Sequence, residues 1–395
     1  MIYRFPEDFL IGTATSSFQI ETPVDHQLKG LVAHDGSKLT STIAHEKHRK
    51  RDISLISRLG KAYRFSLDWG RLQEYPFEPF HKDVVDEYRK FMLSLKEKGV
   101  TLCLVLHHFA NPNWFENLGA WSSPHSIEIY LDYVRQVKKY FGDLIWFYDT
   151  FNEPGVYAIH CYVSGFFPPY KRFDLISAEK VLRNMSKSSN MAYDILKKGN
   201  KKAKVGFAKS LLNPLPVNLF GKFSAILYKK IFVYSILKKF SSIDYVGLNY
   251  YGEMPMGALP LSRIDDTKRF DGLRMEHDDL WITDPLYLKK AIHDMRRRYG
   301  KPVLITENGY CGDKDKRRIR FIKEHLKSVY EAMEEGADVL GYMYWSTFDN
   351  FELYLGRSFR FGLVEIDYDD MTRMPKGSAK FYQKLVKTGS FEFQE

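Results

Sequence analysis

Cysteine is scarce in this chain: Cys103, Cys161 and Cys311 are the only three in 395 residues. Three scattered thiols build no disulfide framework, so reduced thiols and a cytoplasmic setting are expected. Long apolar runs are missing too. None approaches the roughly 18 residues that a membrane-spanning helix needs. The opening Met1-Ile-Tyr-Arg-Phe-Pro6 has no long apolar segment of the signal-peptide kind, so the chain is expected to enter its fold at once. No G-x-G-x-x-G stretch or phosphate loop occurs, which argues against nucleotide binding. No linker, low-complexity tract or internal repeat interrupts the sequence, and one domain over residues 1–395 is expected. Acidic residues are the minority, with Asp plus Glu at 49 against Lys plus Arg at 59, a net charge of +10. Such an excess attracts nucleic acid or anionic membrane when it is concentrated. Here the basic residues spread over many helical segments and do not interleave with aromatics on one platform. A soluble basic surface and no nucleic-acid partner are therefore expected.

What is abundant is apolar and aromatic: 44% hydrophobic and 15% aromatic residues supply a full core and exclude disorder. Runs rich in β-branched and aromatic residues recur at Phe9–Ser17, Ala62–Trp69, Thr101–Phe109, Trp146–Glu153, Lys204–Leu211, Asp244–Tyr251, Pro302–Asn308 and Val339–Phe348. Several are almost continuously apolar, as parallel strands covered on both faces are. Helical stripes lie between them: Val84, Val85, Tyr88, Met92 and Leu95, ended by Gly99; Ile127, Leu131, Val134, Val137 and Phe141; Ile319, Ile322, Leu326, Val329 and Met333, ended by Gly336. Ser177 is placed to cap a helix carrying Val181, Leu182 and Met185. Asp284-Pro285 reads as an N-cap with proline at the first helical position, and Gly300 ends that helix. Eight strands in βα alternation predict an α/β fold, a single (β/α)8 TIM barrel; a doubly wound open sheet is the structural alternative. Thr22–Ile43 and Gly252–Ile282 read as long surface loops.

Chemistry in such a barrel sits at the C-terminal strand ends. Those ends carry Gln19 and Glu21, His107-His108-Phe109, Asn152-Glu153-Pro154, Asn249-Tyr250-Tyr251, Thr306-Glu307-Asn308-Gly309, Trp345 and Glu352. Glu153 and Glu307 end the fourth and seventh strands, which face each other across a barrel. Two carboxylates so placed divide the work of glycoside hydrolysis, one as nucleophile and the other as general acid/base. Alone, either glutamate reads as a salt-bridge partner or helix cap. Together on a rim rich in His, Trp and Gln they read as an active pair.

The motifs carry a resemblance. Phe5-Pro-Glu-Asp-Phe-Leu-Ile-Gly-Thr-Ala-Thr-Ser-Ser-Phe-Gln-Ile-Glu21, Tyr63-Arg-Phe-Ser-Leu-Asp-Trp69, Thr150-Phe-Asn-Glu-Pro154, Gly247-Leu-Asn-Tyr-Tyr251, Ile305-Thr-Glu-Asn-Gly309 and Arg360-Phe-Gly-Leu-Val364 resemble, in order, a family-1 β-glycosidase of the retaining, clan A type. The resemblance implies a cofactor-free and metal-free hydrolase of terminal β-glucosides or β-galactosides. It implies Glu153 as acid/base and Glu307 as nucleophile. Asn152 would hold the sugar 2-hydroxyl, and Arg64 and Tyr251 would flank Glu307. Gln19, His108 and Glu352 would bond the outer glycone hydroxyls, with Trp345 as the stacking floor. Three positions depart from the family pattern: Thr22 replaces a glycine, Phe109 a tryptophan after the rim histidine, and Leu353 the tryptophan of Phe-Glu-Trp. The last bears on the glycone 4-hydroxyl. Only about thirty residues join strands five and six, so a more open leaving-group side is expected, suited to alkyl or aryl aglycones.

Two rival functions share the scaffold. A 6-phospho-β-glycosidase resembles this pattern but typically has serine at the Glu352 position and a lysine for the phosphate. A non-catalytic sugar-binding barrel would not need both carboxylates. His45-Glu46-Lys47-His48 lacks the H-E-x-x-H spacing of a zinc helix. His107 and His108 are neighbours on a strand and point to opposite faces, His107 behind the barrel and His108 into the site. Leu219–Phe240 is apolar, aromatic and basic with no acid. It reads as the fifth barrel helix, or as a segment for weak membrane-surface association.

Overall fold

The computed structural model describes residues 1–229, 239–256 and 276–394. Eight parallel strands close a barrel: β1 (Leu10–Ala14), β2 (Ala62–Ser66), β3 (Thr101–Val105), β4 (Phe147–Asn152), β5 (Lys204–Ser210), β6 (Val246–Asn249), β7 (Val303–Asn308) and β8 (Val339–Trp345). The ring closes where β8 pairs with β1, Gly341 opposite Leu10 through Trp345 opposite Ala14. All eight sequence-predicted strands are present, most of them shorter than predicted at their C-terminal ends. After Ala14 the chain turns into a helical turn over Ser17–Ile20, and after Ser66 into another over Trp69–Leu72. Those turns form the rim.

Nine helices of nine residues or more are described: α1 (His45–Leu59), α2 (Lys82–Glu97), α3 (Ser126–Phe141), α4 (Pro154–Tyr162), α5 (Leu175–Lys197), α6 (Leu219–Tyr228), α7 (Pro285–Tyr299), α8 (Asp315–Glu334) and α9 (Gly377–Thr388). Their apolar stripes bury as the periodicity predicts, for example Val85, Tyr88, Met92 and Leu95 of α2. α7 starts as expected, with the Asp284 carboxylate accepting from Tyr287 N at 3.1 Å, and ends at Gly300 with φ 61°, where a side chain would be strained. The cap of α5 differs from the prediction. It is Asp174, which accepts from the backbone N–H of Ser177 at 2.9 Å, so Ser177 already lies in the first turn. The chain is already helical at Leu175, so the capping position falls on Asp174 and not on Ser177.

The main core fills the space between strands and helices. A second cluster, with Ala14, Ala62, Cys103, Tyr245, Leu304 and Met343, lies under the rim. The three thiols are free and buried. The two irregular stretches are more than surface loops. In Thr22–Ile43, Leu28, Leu39 and Ile43 have no exposure and serve as core. In Gly252–Ile282, residues 257–275 lie outside the described residues. Before them, Glu253–Met256 pairs with Asn213–Pro216 as a parallel ribbon above β5 and β6. Helix α6 packs on that ribbon, with Ala225 against Met254, rather than on the barrel flank expected of a fifth barrel helix. Residues 230–238 of the same segment lie outside the described residues. Ile2–Arg4 pairs antiparallel with Ser390–Glu392, tying the two ends of the chain together.

A buried ionic cluster holds α1 to the C-terminal segment. Arg373 Nε donates to Asp52 at 2.9 Å, and His45 Nδ1 lies 2.8 Å from the other carboxylate oxygen, all three side chains being buried. Burial alone would raise the Asp52 carboxyl, but the bonds from His45 and Arg373 outweigh it and hold the group below its ordinary value. Its contribution to stability is thus present above that ordinary value and lost as pH falls through the depressed one. Asp52→Ala strands the Arg373 guanidinium and is expected to cost about 3–5 kcal/mol of unfolding free energy in urea titration. A loss below 1 kcal/mol, about the worth of an exposed pair, would contradict this reading.

Candidate active site

The backbone shapes the rim where the two glutamates stand. The β4 ladder shifts register between Asp149 and Asn152, and Glu153 follows the strand with a φ of 45°, which is left-handed and rare for a side-chain-bearing residue. Pro154 then opens α4. On β7 the register shifts between Ile305 and Glu307, so that Glu307 stands opposite Asn249 of β6.

Arg64, on β2, has no exposure and donates to three acceptors: Asp149 at 2.6 Å, Glu307 at 2.6 Å and Asn152 at 2.8 Å. The Tyr251 hydroxyl donates to the second oxygen of Glu307 at 2.6 Å. Asn249 donates to Glu153 at 2.9 Å and to Asn152 at 3.1 Å, and is itself oriented by the Thr306 hydroxyl at 2.6 Å. Because Asn152 Oδ1 accepts from Arg64, its Nδ2 faces His108 Nε2, at 3.1 Å. The buried Nδ1 of His108 has no hydrogen-bond partner in the protein. Gln19 and the Trp345 indole approach Glu352 at 3.3 and 3.4 Å.

Eight of the nine sequence-predicted site residues line one cavity of about 420 Å3: Gln19, His108, Asn152, Glu153, Tyr251, Glu307, Trp345 and Glu352. Arg64 lies behind it. His107 faces away, bonded to Asn111 at 2.8 Å and packed on Trp121. The sequence reading passed over Asp149, the second acceptor of Arg64. A charge within the apolar run Trp146–Glu153 was its signal, since a buried carboxylate needs a partner. Asn249 was visible inside the Gly247–Tyr251 motif but was given no role. Trp281, which lines the cavity from an irregular stretch, had no signal. Among the described residues no group of three or more metal-type ligands is assembled.

The two glutamates differ electrostatically. Burial pushes Glu153 up to about 7, the Glu307 charge adds to the rise, and only Asn249, Lys209 and Ser210 oppose it. Burial raises Glu307 as well, but there the Arg64 charge and the Tyr251 hydroxyl pull down. Of the two, Glu307 therefore ionises first. Glu352 is pushed up to about 8, by burial first and by the two other glutamates in addition. Burial and the Arg64 charge hold His108 well below its ordinary range, so its imidazole is neutral. Of the facing pair, Glu307 is the more readily ionised, and Glu153 keeps a proton near neutrality, as Glu352 does.

A closed barrel with such a carboxylate pair on its C-terminal rim is the frame of a glycoside hydrolase, and comparison with known proteins is specific. The family described as Glycosyl hydrolase family 1 matches residues 1–220 and 234–391. β-Glucosidase A of Acetivibrio thermocellus is 26% identical over 444 residues, covering 98% of this chain and 99% of that one. The solved β-glycosidase from Pyrococcus horikoshii superposes with a TM-score of 0.88 at 31% identity, covering 100% of this chain and 97% of that one. A β-glucosidase from Thermotoga maritima in complex with glucoimidazole gives a TM-score of 0.89 at 25% identity over 99% of this chain and 100% of that one. The chain belongs to glycosyl hydrolase family 1 and is a β-glycosidase.

If the Glu307 charge helps to hold the proton on Glu153, removing it lowers the pKa of Glu153. In Glu307→Gln, carbon-13 NMR of the labelled carboxyl is expected to show Glu153 titrating below the wild-type value of about 7. An unchanged or higher midpoint would contradict the coupling.

Proposed function

We propose that this β-glycosidase cleaves terminal β-glucosides and β-galactosides with retention, Glu307 acting as nucleophile and Glu153 as acid/base. The observation that carries the reading is the asymmetry of the pair: Glu307 holds a guanidinium and a phenol at 2.6 Å, whereas Glu153 holds one amide at 2.9 Å and has its pKa raised to about 7. In the first step the Glu307 carboxylate bonds to the anomeric carbon while the glycosidic C–O bond breaks. Glu153 gives its proton to the departing oxygen. In the second step Glu153, now ionised, takes a proton from water, whose oxygen bonds to the anomeric carbon as the bond to Glu307 breaks. Each displacement inverts that carbon, so the configuration is kept.

Asn152 is fixed by Arg64 and Asn249 to meet the 2-hydroxyl, where bonds strengthen in the transition state. The unpartnered Nδ1 of His108 is free to meet an outer glycone hydroxyl, together with Gln19 and Glu352. Trp345 supplies the stacking floor. No metal or cofactor has a part in this scheme. Beyond the carboxylates the cavity wall turns apolar, with Val156, Ile159, Phe173, Leu212, Met254 and Trp281. That wall suits alkyl or aryl aglycones. The 6-phospho reading gains nothing, since a carboxyl and no cation stands at Glu352. We also read residues 1–395 as one catalytic domain, on the pairing of its two ends. The free thiols suit a reducing compartment, and we place the enzyme in the cytoplasm.

Glu307→Ala is expected to lose nearly all activity. Glu153→Ala is expected to lose most on poor leaving groups and least on acidic phenols, which need little proton assistance. Early proton NMR of the released sugar is expected to show the β-anomer first. An α-anomer first would end the retaining scheme, and equal losses for Glu153→Ala across leaving groups would end its acid/base assignment.

Leu353 lines the same cavity but offers no indole N–H beside Glu352. A hydrogen bond to a neutral hydroxyl contributes about 0.5–1.5 kcal/mol, roughly two- to tenfold in binding. Weak discrimination between β-glucosides and β-galactosides is therefore expected, and Leu353→Trp is expected to raise it. Unchanged ratios of kcat/KM in a folded Leu353→Trp protein would contradict this.

A further inference from the structure

The cavity opens between two segments whose exposed side chains are the wrong kind for water. One is the turn before α5, which places Phe166 and Phe173 on the cavity wall; Phe173 is 77% exposed, and Ile176 just beyond it is 86% exposed. The other is α6. Its inner side places Tyr228 on the cavity and Ala225 against Met254. Its outer side presents Leu219, Phe220, Phe223 and Ile226, each between 66% and 78% exposed. A surface helix ordinarily turns its apolar stripe to the core. Here a stripe at 219, 223 and 226 faces out. Among the described residues, 10 of the 22 exposed large apolar side chains fall within 166–176 and 217–226, the two flanks of the mouth. The rest are scattered, as ordinary surface residues are.

Basic residues outnumber acidic ones on these flanks. Residues 166–176 contain Lys171 and Arg172 and one acid, Asp174, which pairs with Lys171 at 3.4 Å, and residues 212–229 contain Lys222 and Lys229 and no acid. Exposed aromatic and aliphatic groups with interspersed cations are the composition that enters the headgroup layer of an anionic bilayer. A soluble acidic protein would match the charges but would leave most of the outward stripe in water.

We propose that the mouth of the active site docks on an anionic lipid surface, and that the substrates include β-glycosides whose aglycone is a long hydrocarbon anchored in that surface. This rests on the β-glycosidase reading and adds to it where the substrate comes from. With the sugar at Glu153 and Glu307, the aglycone leaves along Val156, Leu212 and Met254 and emerges between the two apolar flanks. A hydrocarbon tail on that route passes from bilayer to cavity without crossing water, which conserves about 0.8 kcal/mol per CH2 that exposure would cost.

The test measures co-sedimentation of the full chain with phosphatidylglycerol and with phosphatidylcholine vesicles, beside hydrolysis of an aryl β-glucoside in solution and of a long-chain alkyl β-glucoside carried in the vesicles. Partitioning onto phosphatidylglycerol is expected to exceed that onto phosphatidylcholine and to weaken with salt. Leu219→Ser/Phe223→Ser/Ile226→Ser is expected to lower it at least about tenfold. Lys222→Gln is expected to lower it about fivefold, the worth of one cation at an anionic surface. In the triple variant the vesicle-borne substrate is expected to lose turnover with the binding, while the aryl glucoside does not. Equal partitioning on both vesicles, or none, overturns the proposal. So does a triple variant that binds like wild type, and so does a dimer that the same substitutions dissociate, because the stripe would then belong to a second copy. A wild type inactive on the aryl glucoside would instead sink the glycosidase reading, whatever the vesicles show.

Discussion

Arg64 is a cation with no exposure, and its three hydrogen-bonding nitrogens are divided among Asp149, Asn152 and Glu307. A guanidinium removed from water costs several kcal/mol unless its donors are met, and here each is met by an oxygen on a different strand position. One side chain from β2 thereby fixes the end of β4 and the end of β7 relative to each other. Asp149 matters as much as Glu307 in this arrangement, because the two carboxylates share a single cation. Tyr245 supplies Asp149 with a further donor at 2.8 Å, so the excess negative charge is spread rather than cancelled. The Glu307 charge is what Glu153 faces, and after burial it is the second cause that keeps its proton near neutrality.

The cavity changes character along its depth. At its base, polar groups are cross-bonded and buried, with little freedom to reorganise, as electrostatic stabilisation of a charged transition state requires. At its mouth the wall is aliphatic and aromatic, and the side chains beside it are exposed. The base is built on strands and the mouth on α4, α6 and the connections around them. The cross-bonded base and the apolar mouth thus come from different elements of one barrel.

Much of this was legible in the sequence. Parallel strands covered on both faces leave continuous apolar runs, and all eight were visible, as was the pairing of Glu153 with Glu307. The strands read too long at Ser17 and Trp69 because the residues after them, Thr15–Ser17 and Leu67–Trp69, are buried as the strands are, and only the end of the hydrogen-bonded ladder marks the break. Ser177 looked like a cap because its side chain is suitable; only geometry shows that the helix begins at Leu175, with Asp174 in the capping position. Asp149 was passed over because its partner is 85 residues away on another strand. Helix α6 shows the deeper limit. Periodicity reveals that a helix has an apolar stripe but not which way the stripe points. The ribbon of Asn213–Pro216 and Glu253–Met256, formed by pairing distant in sequence, sets that direction.

The central claim is that Glu307, whose ionised form Arg64 and Tyr251 favour against burial, is the group that bonds to the sugar. An activated 2-deoxy-2-fluoro-β-glucoside tests it directly, because the fluorine destabilises the oxocarbenium-like transition state and slows release of a covalent intermediate. Incubation, digestion and peptide mass measurement are predicted to find one fluoroglycosyl group per chain, on the peptide containing Glu307. A label on the Glu153 peptide, or turnover with no label and an α-anomer released, would contradict the account.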